Sequence, residues 1–348
     1  MPQATRLERI VQYAKAPNNP WLLIHGIRAM GPDFAIVEEG LVEHEYGKAI
    51  DYLCSHYLRN APVAGATYLY MPIDYEHHPH CFLSEAVLDA GVPLEYVFES
   101  NGGNHSVADL VTSARALFQF NGPSSERDTS VGDTLAWSLT AFAHVTDPAD
   151  DTWVNAYGHR IRFRVVVESA MAILERATRH LQTAMINRRH EPLSDKIHGF
   201  ACAGTHLTYG LTTCLKFGYH EHGLPERMKS QFNILIWRLQ NDLKLVDNYY
   251  DQLGGDYPAD VSRMYRLDTK LKFLGHAFEI INYIKKYQLF KSTAAQEEII
   301  EGGRQTLNEV IGEIASDGIE KYAEDNILFN LLVGDACHAF HGITMGAK

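Results

Sequence analysis

Asp335-Ala-Cys-His-Ala-Phe-His-Gly-Ile343 carries two histidines and one carboxylate in a helical run otherwise made of small and apolar residues. A helix with one wet side shows a charged stripe there, so a run without one is packed on nearly all sides. His198-Gly-Phe-Ala-Cys-Ala-Gly-Thr-His-Leu-Thr-Tyr-Gly-Leu211 has the same inner character. Residues 226–251 and 293–316 instead keep charged residues opposite an apolar stripe, as outer helices do. Alternation of inner and outer helices is the mark of hairpins wound around a shared centre.

Working outward, cap residues and 3.6-residue periodicity predict roughly eleven helices in successive pairs. They cover 21–30, 43–59, 79–91, 106–120, 130–144, 165–186, 195–217, 225–251, 268–287, 293–316 and 325–343. Asn19-Pro20 opens the first and Gly31 closes it; Ser106 to Asp109 is a capping-box-like start, and Ser130 stands where a cap belongs. Strand signals are few: 66–70, 94–98 and an alternating 159–164. The expectation is a mainly α chain, a toroid of about five to six helical hairpins with a few short strands. His25, His80, His144, His206, His276 and His338 each fall on one of these helices, most of them at intervals of roughly sixty residues.

At 348 residues the chain can bury a sizeable core. No Pro/Ser/Gly-rich linker or shift in composition divides it, so one domain over 1–348 is expected. Its 46% hydrophobic and 21% charged residues are those of a soluble globular protein. A net charge of -12 argues against a nucleic-acid partner, because phosphate contacts draw on surplus Lys and Arg. The basic stretch from Arg160 to Arg189 reads as a solvated face. No apolar run approaches the roughly 18–20 residues that span a bilayer, and the N-terminus lacks a signal-peptide core. Cys54, Cys81, Cys202, Cys214 and Cys337 have no disulfide-framework spacing, which points to a reducing, cytoplasmic setting. A small-molecule partner is expected, with no membrane; oligomeric state is open.

The inner-type segments 21–30, 134–144, 203–211 and 335–343 resemble α/α-toroid proteins, the class of terpenoid-cyclase-like and six-hairpin-glycosidase-like barrels. The chain is also similar to a group of bacterial proteins with His78-Pro-His80, Val107-Ala-Asp-Leu-Val111, Ala136-Trp-Ser-Leu139 and Gly204-Thr-His206. These resemblances imply a fold and no activity. The repeated Gln-Trp motif of squalene-type cyclases is absent. Asn104-His105-Ser106 resembles a run of alginate-type lyases without the aromatic residues that follow it there. Cys202 and Cys337-His338 resemble the zinc ligands of lanthionine-cyclase-like toroids, with Ala339 where that motif has glycine.

Two kinds of chemistry can be built from the histidines. In the first, His25, His78, His144 and His206 meet in a central funnel, since imidazole exchanges protons near neutral pH. His25 and His206 act as base and acid, while His78, in the dense group Glu76-His-His-Pro-His80, and His144 orient the substrate. Arg28, Trp137 and Tyr209 bind it, as a guanidinium and an aromatic wall suit a carbohydrate or uronate. The reaction class is then a lyase or hydrolase. In the second, His198, Cys202 and His206 recur every four residues along one helix face. Cys202 and His206, with Cys337 and His338 from the last helix, then hold a divalent transition metal such as zinc or iron. A binding or scaffold protein with structural histidines is the third reading, and His276, in a Lys-containing helix, fits a structural role. Asp242, Asp247 and Asp251 lack Asp-Asp-x-x-Asp spacing and are expected to face solvent. No Walker loop, dinucleotide fingerprint or nucleophile elbow is present.

Overall fold

The computed structural model describes residues 3–36, 47–122, 130–194, 196–253 and 258–346, with the side chains of residues 3 and 130 excepted. Over these the chain is mainly α-helical, with three two-stranded antiparallel hairpins at its edges. Helix α1 (Gln3–Val11) leads to α2 (Pro20–Met30), where Asn19 accepts from the Leu22 amide and Gly31, at φ 95°, donates to the Ile27 carbonyl. Helix α3 (Ala49–Tyr57) precedes β1 (Arg59–Val63) and β2 (Ala66–Tyr70), which turn through Ala64-Gly65. A single turn, α4 (Ile73–Glu76), is followed by a π-helical segment, Phe82–Leu88. Strands β3 (Val97–Ser100) and β4 (Gly103–Ser106) join at Asn101-Gly102, both at positive φ, as a tight hairpin requires.

The Ser106–Asp109 capping box starts α5 (Val107–Leu117), and α6 (Ser130–Val145) follows. Strands β5 (Thr152–Val154) and β6 (Arg160–Arg162) form the third hairpin before α7 (Phe163–Ile186). Two 3-10 turns, Ile197–Gly199 and Ala201–Gly204, precede α8 (Thr205–Lys216). The last four helices are α9 (Leu224–Leu253), α10 (Ala259–Lys286), α11 (Ala294–Asp317) and α12 (Asn326–Met345). A Thr293–Gln296 capping box starts α11, and Asp325 caps α12. No helix among the described residues is long and apolar enough to cross a membrane.

The buried apolar side chains from α1 to α12 form one continuous cluster. Helix α10 is buried without interruption from Phe273 to Ile284 and packs along α12, which also touches α1 and α2. Helix α11 is an outer helix, with Ile300, Leu307, Val310, Ile311 and Ile314 on one buried stripe. The α10/α12 contact is close because two glycines let the backbones meet. A Cβ on Gly275 would stand 3.0 Å from the Ala339 nitrogen, and one on Gly342 would stand 2.8 Å from the Glu279 nitrogen. That contact sets His276 and Glu279 of α10 beside His338 and His341 of α12.

Several expectations change. The helix expected over 195–217 is broken: Cys202, Ala203 and Gly204 are left-handed (φ 47°, 52° and 75°), and α8 begins only at Thr205. His198, Cys202 and His206 therefore do not share one helix face. Tertiary hydrogen bonds hold the break, the Ala201 amide donating to Asp133 and Arg238 donating to the Ala203 carbonyl. The helix expected over 79–91 widens into the π-helical segment. Asp242, expected in solvent, is buried because Arg238 neutralises it at 2.7 Å. Helix α10 starts at Ala259, well before 268, and α1 falls outside the expected helices. The expected helix starts at 43 and 195 and the Ser130 cap lie outside the described residues or side chains.

Glycine substitutions test the close crossing. Gly342→Ala should destabilise the fold by about 1–3 kcal/mol in denaturant unfolding, because the backbone of α10 leaves no room. Gly302→Ala, at an exposed position of α11 with open space around it, should instead stabilise by about 0.5–1 kcal/mol.

Candidate metal centre

Glu279 is the hub of a buried polar centre. Its Oε1 accepts from Arg28 Nε and from His341 Nδ1, each at 2.8 Å, and its Oε2 accepts from His338 Nδ1 at 3.0 Å. Arg28 reaches further: Nη1 donates to Asp89 Oδ2 at 3.1 Å and lies 3.7 Å from Glu85 Oε1. Asp89 also accepts from the Tyr209 hydroxyl at 2.6 Å. Burial raises the pKa of Glu279, but Arg28 and His338 outweigh it and hold the carboxyl well below the usual range. Burial likewise opposes ionisation of Asp89, and His144 and Arg28 overcome it. Glu85 goes the other way, pushed up to about 7 by burial against the pull of Arg28.

The π-helical segment places both acids. Asp89 N–H donates to Ser84 O, five residues back, and the widened turn carries Glu85 and Asp89 toward Arg28. Such turns are rare and recur at functional sites. The upstream end is tied by Glu76, which accepts from the His80 and Phe82 amides. Burial raises Glu76 to about 8 despite those hydrogen bonds.

Around the hub the imidazoles have fixed tautomers. A carbonyl or carboxylate oxygen only accepts, so a ring nitrogen bonded to one carries the proton. His25 Nδ1 donates to Trp21 O at 2.7 Å, His276 Nδ1 to Lys272 O at 2.8 Å, and His338 Nδ1 to Glu279. Burial keeps all three neutral, lowering His25 to about 3, His338 to about 4 and His276 well below the usual value. Each therefore carries a lone pair on Nε2, and that of His276 faces His206 Nε2 at 2.8 Å. This is the arrangement of metal-binding histidines, whose second nitrogen donates to a carboxylate or carbonyl.

The ligand atoms form two groups. One nitrogen each of His25 and His338 and one oxygen of Glu85 lie within 4.8 Å of one another, all three residues buried. Glu85 Oε1 has no hydrogen-bond partner among the described residues. Cys202, His206 and His276 form the second group within the same distance. The rings run in contact from one group to the other: His25 to His338 at 4.9 Å between centroids, His338 to His276 at 3.9 Å, His276 to His206 at 4.8 Å.

Most residues singled out in the sequence lie in or beside this centre. His78 meets the His206 ring edge-on at 5.5 Å, and Trp137 packs on His206 at 4.7 Å. Tyr209 and Trp137 flank the Arg28 guanidinium at 4.8 and 5.4 Å. His144 Nε2 lies 3.6 Å from Asp89 Oδ1. Arg28 pairs with three protein carboxylates. Cys337 is buried and belongs to neither ligand group, and His80 stands apart, on Ser138 and the ring of Phe142. His276, expected in a structural role, lies between the rings of His206 and His338. Glu85, Asp89 and Glu279 were missed. The available signals were Glu85 and Asp89 four apart in an apolar run, and His276 and Glu279 three apart on one face of another.

An apolar cleft of about 320 Å³ lies beside the π-helical segment, lined by Leu69, Met71, Phe82, Leu83 and Leu110 with Glu76 and His80 and by none of the ligand residues. No family model, curated protein or solved structure matches the chain, so any functional reading rests on this geometry.

The buried imidazoles make a pH prediction. The unfolded chain protonates histidine near pH 6.5, whereas folded His25 and His338 do so only near 3 and 4. Their contribution to stability is complete above about pH 6.5 and is lost as the pH falls toward about 4. In metal-free protein, NMR should show these two rings neutral and unchanged from about pH 8 to about pH 5. Titration of either near the ordinary value would contradict the closed centre described above.

Proposed function

We propose that the protein is a metal-dependent enzyme whose ion is held by His25, Glu85 and His338, with Glu279 orienting His338. The observation that carries this reading is the cluster itself: one nitrogen each of His25 and His338 and one oxygen of Glu85 lie within 4.8 Å of one another, all buried, with both histidines donating from Nδ1 and Glu85 Oε1 making no hydrogen bond among the described residues. An unpaired buried oxygen is costly unless a ligand or water satisfies it. Two histidines and one carboxylate leave coordination positions open, a donor set suited to iron(II) and dioxygen chemistry. The three ligand residues are buried, which suits a small co-substrate. A toroidal winding of the hairpins agrees with contributions from α2, α8, α10 and α12 to one centre.

Metal-free acid/base chemistry by His25, His78, His144 and His206 on a sugar or uronate is the second reading. It draws support from the Asp89–His144 pair beside Arg28. Metal content separates the two. Untagged protein reconstituted with iron(II) should retain at least one tightly bound equivalent, and Glu85→Gln and His338→Ala should each remove one equivalent while circular dichroism stays unchanged. Glu279→Gln, acting through His338, should weaken its binding by about 10–100-fold. Substoichiometric iron, zinc, manganese and cobalt after reconstitution would sink the metal reading and leave the acid/base one.

A further inference from the structure

The second ligand group has features of its own. His276 Nδ1 is committed to Lys272 O, so its Nε2 is a bare lone pair, and it faces His206 Nε2 at 2.8 Å with both rings buried. Without an ion, His206 must supply the proton in that contact. Cys202 reaches the pair through backbone that non-glycine residues seldom adopt: Cys202 and Ala203 are consecutive left-handed residues ahead of Gly204. Strain of this kind persists where surrounding structure enforces it, commonly at functional sites. Here Asp133 holds the Ala201 amide at 3.0 Å, and Arg238, itself paired with Asp242, holds the Ala203 carbonyl at 2.9 Å. Cys202 is partly exposed, so this group is the one with a side toward solvent.

We propose that Cys202, His206 and His276 bind a second, thiolate-ligated transition-metal ion adjacent to the first, so that the protein carries a two-ion centre joined through the contacting rings of His276 and His338. The inference rests on the metal reading above and extends it. Two imidazoles and a thiolate select a borderline-soft ion such as zinc(II) and leave a fourth position open, whereas the carboxylate-containing set is harder. The protons balance simply. The Cys202 thiol releases its proton to solvent, and the His206 proton moves from Nε2 to Nδ1, so this group releases one proton per ion taken up.

The test uses the full chain reconstituted anaerobically with cobalt(II). Two equivalents should bind, with a thiolate-to-cobalt charge-transfer band in the near ultraviolet. Cys202→Ser should keep one ion and lose the band, Glu85→Gln should keep the band and lose the other ion, and Cys337→Ser should change neither. X-ray absorption of zinc-loaded wild-type protein should show sulfur at about 2.3 Å, which decides the matter even if the Cys202 variant does not fold. One equivalent without sulfur ligation overturns the second site and leaves the first. A sulfur-ligated ion with no effect of Glu85→Gln on stoichiometry overturns the first, and no bound metal overturns both.

Discussion

A carboxylate sealed among helices must be neutralised from within, and Glu279 is neutralised by donors from two other elements. Arg28 comes from α2, and His338 and His341 from α12. Removing one partner from such a buried set typically costs about 3–5 kcal/mol, because the remaining charge stays buried. The three helices are therefore held in mutual register by a polar constraint as well as by packing. Arg28 extends it to Asp89 after the π-helical segment, and Asp89 to Tyr209 of α8. The network can exist only because Gly275 and Gly342 let α10 and α12 approach to backbone contact.

Such a network is a poor way to gain stability. Replacing buried ionic groups with well-packed apolar ones is often neutral or stabilising, and here the centre also strands polar atoms, among them Arg28 Nη2, Glu85 Oε1 and Trp137 Nε1. Donation from a helical histidine to the carbonyl four residues back, as in His25 and His276, is ordinary helix chemistry by itself. What sets this centre apart is convergence: neutral rings from four helices gather beside buried acids, one of which, Glu85, keeps an oxygen without a hydrogen bond among the described residues. Groups of that kind fit a cation better than they fit a core.

Much of the fold was legible in the sequence. Asn19-Pro20, Thr293 and Asp325 mark helix starts, and the uncharged runs around Cys202 and His338 mark inner segments. The strand expected over 94–98 overlaps β3 only at Val97 and Phe98. The site was legible in its histidines and in the aromatic pair Trp137 and Tyr209. Its acids were not, because one carboxylate in an apolar run looks like an interruption of the core. His276 was set aside for its neighbouring lysine, yet Lys272 itself turns inward, 3.6 Å from buried Asp335. Cys202 was matched with His206 for a geometrical reason that does not hold, since the helix supposed to align them is broken between the two.

By itself the sequence determined most of the helical segments and that several of them carry a histidine in an apolar setting. Those properties follow from periodicity and capping, which act within a few residues along the chain. The tertiary structure decided which histidines meet, which nitrogen each presents, and which acids join them. Those depend on the register of helices distant in sequence, on a π-helical turn and on a left-handed bend that long-range hydrogen bonds impose. A ligand group needs its atoms within a few ångströms, finer than the spacing of residues along a helix can specify.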